Sequence, residues 1–264
     1  MLLAIDIGNT NIKFGLWDDQ RQLWQAMWRV RTQQQTSAVE YGILLRECAA
    51  NDQILLNDVT NVIVSSVVPA LTPILLEMVW KQFRIKAYLV TPHSPTGLQI
   101  ALDFPEQVGT DRLLNAVAAF ALVHGAVIAV DLGTATKFDV VTAEGIYIGG
   151  AIAPGIAVSG DSLATRIAQL PRVELTSNPS IIGTSTVDAM QSGLVWGMVS
   201  IVEGMLTRLK SALNDPYVRV IAAGGLAPVV QPHLNQIDSY IPTLTLDGLR
   251  VIHTLQNNLN NKSV

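Results

Sequence analysis

The chain has 264 residues, of which 49% are hydrophobic and 14% charged, and its formal net charge is −4. This composition favours a compact enzyme or an oligomer over a disordered regulator, and the lack of a lysine- and arginine-rich cluster argues against nucleic-acid binding. The length fits one large domain or two small ones. The single cysteine, Cys48, rules out an internal disulfide and indicates a reducing compartment.

Two sequence features bear on location. The chain begins directly with an apolar strand pattern, without the basic segment of a signal peptide. The most apolar span, residues 116–130, is shorter than the ~20 residues needed to cross a bilayer, and it contains His124 and Gly125. We therefore expect a cytoplasmic protein with no membrane partner.

The first half of the chain alternates short apolar runs with stretches of helical spacing, separated by turn-forming residues. We predict strands at 2–7, 12–17, 22–30, 61–68 and 87–90, helices at 36–50 and from Pro69 to Phe83, and a loop at 91–109.

The second half continues this mixture of helices and strands, after a predicted domain break near residues 109–112. We predict a helix at 112–123, two strands within 126–141, a strand, glycine turn and helix within 147–160, a loop near 178–184, a helix at 186–213, and a strand, glycine turn and helix start within 218–230. The two predicted domains are residues 1–112 and 113–264.

A short repeat links the two halves. The tetrapeptide Asp-Ile-Gly-Asn at 6–9 matches Asp-Leu-Gly-Thr at 131–134, and Lys-Phe at 13–14 matches Lys-Phe at 137–138. Each copy lies in a turn between two apolar strands, near the head of its half. The repeat therefore predicts two related hairpins.

The polar turns carry the residue types that bind phosphate. Glycine lets the backbone approach a ligand closely, and neighbouring amides and hydroxyls can donate to phosphate oxygens. The carboxylate of Asp6 can hold hydrated Mg²⁺, and Lys13 and Lys137 can reach an anion from the outgoing strands. A single such turn is ordinary hairpin chemistry, but two in corresponding places favour an ATP site. The turn at 224–225 fits either adenosine contact or a simple helix start.

A second motif, Gly-Thr-Asp-Arg at 109–112, begins an apolar helix. Asp111 can accept the proton of a substrate hydroxyl that attacks the γ-phosphate, and Arg112 can bind a substrate carboxylate. Taken alone, an Asp-Arg pair at this place more often caps the helix and forms a surface ion pair.

A third motif lies at 183–193, where Ser185 and Asp188 form a capping-box pattern and Thr186 can hydrogen-bond a small substrate. The chain lacks a P-loop, a dinucleotide fingerprint and the protein-kinase signatures. Its histidines are scattered without metal-ligand spacing.

The duplicated hairpins resemble those of the actin-like, sugar-kinase and Hsp70 ATPase superfamily. This resemblance implies an α/β fold of two actin-like (ribonuclease H-like) lobes, each with a mixed sheet flanked by helices. Taken together, the motifs look like type III pantothenate kinase over nearly the whole chain. These motifs are DIGNTNIK at 6–13, GTDR at 109–112, DLGTATKFD at 131–139, GGAIAPG at 149–155 and GTSTVDAMQSG at 183–193.

The resemblance implies an enzyme that uses ATP and Mg²⁺ to phosphorylate pantothenate to 4′-phosphopantothenate, the first step of coenzyme A synthesis. It also implies a homodimer and a monovalent cation, K⁺ or NH₄⁺, bound at Asp131, with Asp111 as general base and Mg²⁺ held by Asp6 through water. The implied ATP-binding residues are Asp6, Ile7, Gly8, Asn9, Thr10, Asn11, Ile12, Lys13 and Thr134. The implied substrate-binding residues are Gly109, Thr110, Asp111, Arg112, Thr186 and Leu102.

Leu102 departs from the family pattern, because a tyrosine commonly stands at its position. An aromatic contact to the substrate is therefore missing or supplied by Phe104. Two alternatives stay open: a small sugar kinase of the same superfamily, and a non-catalytic, ATP-dependent regulatory protein on the same scaffold. Release of ADP that depends on pantothenate, and not on a sugar, distinguishes these alternatives.

Overall fold

The computed structural model describes residues 1–262, with the side chains of residues 1–259. Contacts divide the chain into two compact units. Unit 1 contains Met1–Gly97, Phe104–Ala118 and the chain from Thr245 onward, and unit 2 contains Leu98–Asp103 and Ala119–Leu244. The units interleave along the chain, whereas the predicted lobes, 1–112 and 113–264, are consecutive; that division stays a prediction.

The secondary structure follows the apolar pattern closely. The first part contains β1 (Leu2–Ile7), β2 (Asn11–Asp18), β3 (Leu23–Arg31), α1 (Ala38–Asn51), β4 (Asn61–Ser66), α2 (Thr72–Phe83), β5 (Tyr88–Leu89), β6 (Gln99–Ile100) and α3 (Thr110–Val123). The second part contains β7 (Val127–Leu132), β8 (Ala135–Val141), β9 (Ile146–Pro154), α4 (Ile156–Arg166), α5 (Thr186–Leu213), β10 (Arg219–Ala223), α6 (Ala227–Val230), β11 (Ser239–Tyr240) and α7 (Leu244–Lys262).

Unit 1 is built on a sheet with the strand order β3-β2-β1-β4-β5. The pairs β1–β2 and β2–β3 are antiparallel, while β4 and β5 are parallel additions beyond β1. All six residues of the central strand β1 are buried. Every second residue of β1 and β2, for example Ile5 and Phe14, packs with Tyr41 of α1 and Leu75 of α2 in one apolar core.

Unit 2 repeats this topology in its own sheet, whose order is β11-β10-β7-β8-β9-β6. The pairs β7–β8 and β8–β9 are antiparallel, and β10 and β11 are parallel additions beyond β7. Strands β7 to β9 thus correspond to β1 to β3, and β10 and β11 correspond to β4 and β5. The short β6 extends the sheet beyond β9. Its core packs Val130 and Phe138 against Val195 and Met198 of α5. The predicted repeat of two hairpins is therefore a repeat of whole sheets.

Several predicted boundaries need correction. The helix predicted from Pro69 begins at Thr72, because Pro73 occupies its first turn and Pro69 lies in the preceding turn. In the stretch 147–160 the glycine between strand and helix is Gly155, which follows β9 and precedes α4, as the predicted order requires. Gly149 and Gly150 lie inside β9, and a side chain at Gly150 would overlap the backbone of Phe138.

Several elements have no counterpart in the predictions. The loop predicted at 91–109 contains β6 and a single turn of 3₁₀ helix at Pro105–Gln107. Both β11 and α7 lie in the C-terminal stretch, where we predict no element. Among the described helices, none is long and apolar enough to cross a membrane, and the apolar span 116–130 is divided between α3 and β7.

Candidate functional site

The first polar turn connects β1 to β2 and has a defined hydrogen-bond pattern. The Gly8 N–H donates to the Asn11 carbonyl over 3.0 Å, and a Cβ on Gly8 would lie 2.9 Å from that oxygen. Thr32, the residue after β3, holds the turn: its N–H donates to the Thr10 carbonyl and its hydroxyl to the Gly8 carbonyl. Asn9 and Thr10 are exposed at the tip. The turn therefore presents polar groups on a rigid base.

A buried carboxylate lies beneath this turn. Asp6, at 5% exposure, accepts a hydrogen bond of 2.7 Å from the Ser65 hydroxyl on β4. On the other side, Lys13 is its cross-strand partner, with Nζ 3.6 Å from Asp6 Oδ2. Ile7 and Ile12 also pair across the hairpin and are fully buried, so they shape the turn through packing. The polar face of the hairpin is thus held by paired groups on three strands.

The motif at 109–112 begins α3 within the same unit. Thr110 donates its hydroxyl to the carbonyl of Ser66 over 3.2 Å, and Ser66 is the β4 partner of Ile7. Asp111 Oδ1 accepts the N–H of Arg112 at 2.9 Å, as a side chain at a helix start does. A Cβ at Gly109 would lie 2.6 Å from Asp111 Oδ1, so glycine leaves room for the carboxylate. The structure therefore brings Thr110 to the strand end beside the first turn.

The second hairpin, in unit 2, carries the same cross-strand pair. Asp131 is opposite Lys137, and Lys137 Nζ lies 3.1 Å from Asp131 Oδ2, with both side chains 18% exposed. In the turn, the Gly133 N–H donates to the Ala135 carbonyl over 3.3 Å, and Thr134 follows Gly133 as the exposed residue. The two hairpins thus share register, charge pair and glycine.

Two further glycines let the backbone close around the second turn. A Cβ on Gly155, the residue before α4, would overlap the carbonyls of Gly133 and Thr134. Gly224 has φ +105°, and a Cβ there would overlap the backbone of Leu132. The glycine at 224 therefore has a sufficient structural reason, a close approach of β10 to the end of β7, whether or not adenosine also contacts it.

Unit 2 also contains an apolar cavity of about 720 Å³ between α4 and α5. Thr186, the first residue of α5, lines it together with Ser159 and Ser162, and Leu163 and Leu194 contribute apolar lining. Ser185 caps the helix by accepting the Asp188 N–H at 3.1 Å, as predicted. The cavity suits a ligand with a branched apolar group and a few polar atoms.

Leu102 and Phe104 lie on either side of a boundary between the units. Leu102 belongs to unit 2, where its Cδ2 would lie 3.3 Å from a Cβ at Gly149 of β9. Phe104 belongs to unit 1 and is 60% exposed. Leu102 therefore packs on its own sheet, and the exposed Phe104 is the nearby aromatic residue in the sequence.

The carboxylates of the hairpins decide which ions the site can hold. Among the described side chains, no group of three or more His, Cys, Asp or Glu residues is placed to bind a metal. A single carboxylate such as Asp6 nevertheless fits Mg²⁺, which keeps several waters and takes phosphate oxygens from its substrate. At Asp131, Lys137 already supplies a positive charge, so a monovalent cation would have to share the carboxylate.

Sequence reasoning missed three residues of unit 1. Ser65 donates a hydrogen bond to Asp6, Thr245 accepts one from Lys13, and Asn115 accepts one from Thr245. Only Ser65 left a signal, as one of two serines that end an otherwise apolar strand run. Asn115 looks like a polar residue in an apolar helix, and Thr245 lies in a helix that the sequence did not predict.

Comparisons with known proteins agree on one family. The model of the type III pantothenate kinase family matches residues 2–208. The type III pantothenate kinase of Moorella thermoacetica is 44% identical over 253 residues, which cover 96% of this chain and 98% of that protein. That of Myxococcus xanthus is likewise 44% identical over 253 residues, with the same coverage.

Solved structures show the fold. The ATP-glucomannokinase of Arthrobacter sp. strain KM has a TM-score of 0.51 at 16% identity, covering 97% of this chain and 98% of its own. The ADPNP-bound activator of 2-hydroxyisocaproyl-CoA dehydratase from Clostridium difficile has a TM-score of 0.54 at 12% identity, covering 98% and 97%. A Campylobacter jejuni protein assigned to the Baf family of transcriptional activators has a TM-score of 0.60 at 19% identity, covering 97% and 99%. The predicted fold class, with two mixed sheets flanked by helices, is confirmed.

Proposed function

The chain belongs to the type III pantothenate kinase family, and we propose from this premise that Asp111 directs the pantothenate hydroxyl onto ATP held by the first turn. The reaction is phosphorylation of pantothenate in coenzyme A synthesis. The hydroxyl oxygen forms a bond to the γ-phosphorus, the bond from that phosphorus to the ADP oxygen breaks, and Asp111 takes the hydroxyl proton. The products are 4′-phosphopantothenate and ADP.

Residues 6–13, with Thr134 of the second turn, bind the ATP phosphates in this proposal. Support comes from the exposed polar tip at Asn9 and Thr10 and from the ammonium of Lys13 on the outgoing strand. Asp6 would hold Mg²⁺ through water; when bound, the ion neutralises charge on the phosphates. Asp6 lies buried beneath the turn, and the ion would share its carboxylate with the Lys13 ammonium.

Asp111 and Arg112 divide the recognition of pantothenate. Arg112 binds the carboxylate of the substrate, since a guanidinium offers a planar fork to that group. Gly109 and Thr110 fix the start of α3, and the Thr110–Ser66 hydrogen bond ties that start to the strand next to β1. The single observation that carries the assignment is this tie, because it joins the acid-bearing motif to the strand end beneath the phosphate turn.

The apolar part of pantothenate, its gem-dimethyl group, needs an apolar wall and few polar partners. The cavity lined by Thr186 has this character, and we assign Thr186 to substrate binding. Leu102 stands where a tyrosine is common in the family, so one aromatic or hydroxyl contact to the substrate is missing or supplied by Phe104.

A homodimer and a cytoplasmic location complete the proposal. Unit 2 carries large apolar side chains at the surface, including Ile152 at 61%, Ile181 at 66% and Ile182 at 76% exposure. These are apolar side chains that a subunit interface would remove from water. The single cysteine fits a reducing compartment.

A monovalent cation, K⁺ or NH₄⁺, binds at Asp131 in this proposal. It would share the carboxylate with Lys137, whose charge opposes it. The K⁺ concentration for half-maximal activity is therefore expected to be higher than it would be with a neutral residue at 137.

The test of the base is Asp111→Asn. The variant keeps the size and one accepting oxygen of the side chain but cannot take the proton, so turnover should fall by about 10²–10⁴-fold while an ATP analogue still binds. Asp103→Asn, at an exposed carboxylate eight residues earlier in the sequence, is the matched control and should leave turnover unchanged. Near-normal turnover of the Asp111→Asn enzyme would overturn the assignment.

A further inference from the structure

A chain of polar side chains leads from Lys13 into the interior of unit 1. Lys13 Nζ donates to the Thr245 hydroxyl over 3.3 Å, and that hydroxyl donates to Asn115 Oδ1 over 3.0 Å. Thr245 is 6% exposed and Asn115 only 2%. The residues come from β2, the first turn of α7 and the middle of α3, which are remote in sequence.

Close backbone contacts place the first turn of α7 against α3 and β2. A Cβ on Gly248 would overlap the carbonyl of Leu114, so only glycine lets α7 approach α3 at this point. On the sheet side, a Cβ on Gly15 would lie 2.9 Å from Leu246 Cδ1. Because Gly15 and Lys13 are two residues apart on β2, their side chains share the face that α7 covers.

Two further contacts fix α7 from the other end of the strand pair. The Trp24 indole N–H donates to Asp247 Oδ1 over 2.9 Å, and the Arg250 guanidinium lies 4.6 Å from the ring centre of Trp17. The position of Thr245 is thus set by packing and hydrogen bonds that do not involve Lys13. The buried Thr245 hydroxyl, held by Asn115, is therefore a fixed hydrogen-bond acceptor for the Lys13 ammonium.

Electrostatics make such an acceptor necessary. The first turn of a helix carries partial positive charge, which repels an ammonium ion. Lys13 nevertheless lies there, and its other described partner is the carboxylate of Asp6, 3.6 Å away. Without the Thr245 hydroxyl, the ammonium could adopt other positions, since a lysine side chain has four rotatable bonds.

We propose that Thr245 and Asn115 are positioning residues that aim the Lys13 ammonium at the ATP phosphates. Asn115 fixes the Thr245 hydroxyl so that its lone pair faces Lys13. Asn115 also lies one helical turn after Asp111 on α3, so the same helix carries the proposed base and the anchor of the phosphate-binding lysine. This inference rests on the proposed function, because it assigns Lys13 to ATP.

The test compares Thr245→Val, which removes the hydroxyl at constant shape, with Thr245→Ser, which restores it. The Val variant should raise the KM for ATP and the Kd for a non-hydrolysable ATP analogue by roughly tenfold, the effect of one hydrogen bond to a charged group. The KM for pantothenate should change less than twofold, and Ser should recover most of the ATP affinity. Thr254→Val, at an exposed position on the same helix, is the control and should change neither constant.

A double-mutant cycle with Lys13→Met separates positioning from a merely structural role. If Thr245 acts through Lys13, adding Thr245→Val to Lys13→Met should raise the analogue Kd no further. Asn115→Leu gives a second route and should repeat the Val effect. An unchanged ATP constant in a folded Thr245→Val protein, or an equal loss for both substrates, would overturn the inference. Failure of the wild type to bind the analogue would instead overturn the proposed function.

Discussion

Asp6 and Lys13 face each other across the first hairpin, with Lys13 Nζ 3.6 Å from Asp6 Oδ2. The second hairpin repeats the relation with Asp131 and Lys137, 3.1 Å apart, although its turn is one residue shorter. Each sheet therefore ends its first strand in a carboxylate that a lysine on the next strand partly neutralises. This arrangement keeps a negative group available for a cation while a positive group stays near for phosphate.

Asp6→Asn should abolish the negative charge beneath the first turn and leave Lys13 and Ser65 in place. We expect turnover to fall by about two orders of magnitude, because the group proposed to hold hydrated Mg²⁺ is lost. Initial rates over a range of Mg²⁺ concentrations measure the effect, and added Mg²⁺ should restore little activity. Glu77→Gln, at a half-exposed carboxylate on α2, serves as control. A variant with wild-type Mg²⁺ dependence would contradict the role of Asp6.

Lys137→Met should strengthen binding of K⁺, because it removes a positive charge that lies 3.1 Å from Asp131. We expect the K⁺ concentration for half-maximal activity to fall roughly tenfold, because two cations that share one carboxylate repel each other. Activity titrated with KCl at constant ionic strength measures it. Lys81→Met, on the surface of α2, controls for lost charge. If the half-maximal concentration of the Lys137→Met enzyme were unchanged, K⁺ would not share this carboxylate.

Gly224→Ala should destabilise the fold. Gly224 has φ +105°, and the added Cβ would overlap the backbone of Leu132, so we expect a loss of about 2–4 kcal/mol in the free energy of unfolding. Gly197→Ala is the matched control: apart from its chain neighbours and the backbone of its own helix, nothing lies within 4 Å of its Cβ, and alanine inside α5 should stabilise by about 0.5–1 kcal/mol. Denaturant unfolding measures both. Equal effects of the two substitutions would contradict the close approach at Gly224.

The hairpins were predictable because their signals are local. Apolar runs, a glycine and short polar turns lie within residues 2–17 and 126–141, and the structure places strand, turn and strand there. The long helix α5 was predictable for the same reason: Ser185 marks its start and helical spacing continues to Leu213. The repeated local pattern also predicted that the two hairpins are related, whereas the relation of the whole sheets is seen in the structure.

The C-terminal helix could not be predicted, because its reason to exist is tertiary. The sequence of α7 is polar toward its end, and its apolar first turns are held by contacts with α3 and β2 through Gly248 and Gly15. No local sequence pattern indicates that Thr245 contacts Lys13. The wrong helix start at Pro69 has a simpler cause, since two prolines precede the apolar run and only Pro73 lies in the first turn.

The central claim is a transfer of phosphate from ATP to pantothenate that requires Asp111. Its most direct measurement is ADP release by the purified full-length chain with ATP, Mg²⁺ and K⁺, in the presence of pantothenate or of a panel of sugars and acetamido sugars. We predict ADP and phosphorylated pantothenate in equal amounts from the wild type, none with sugars, and a large loss with Asp111→Asn. ATP binding without pantothenate-dependent ADP release, or release that follows a sugar, would contradict the account.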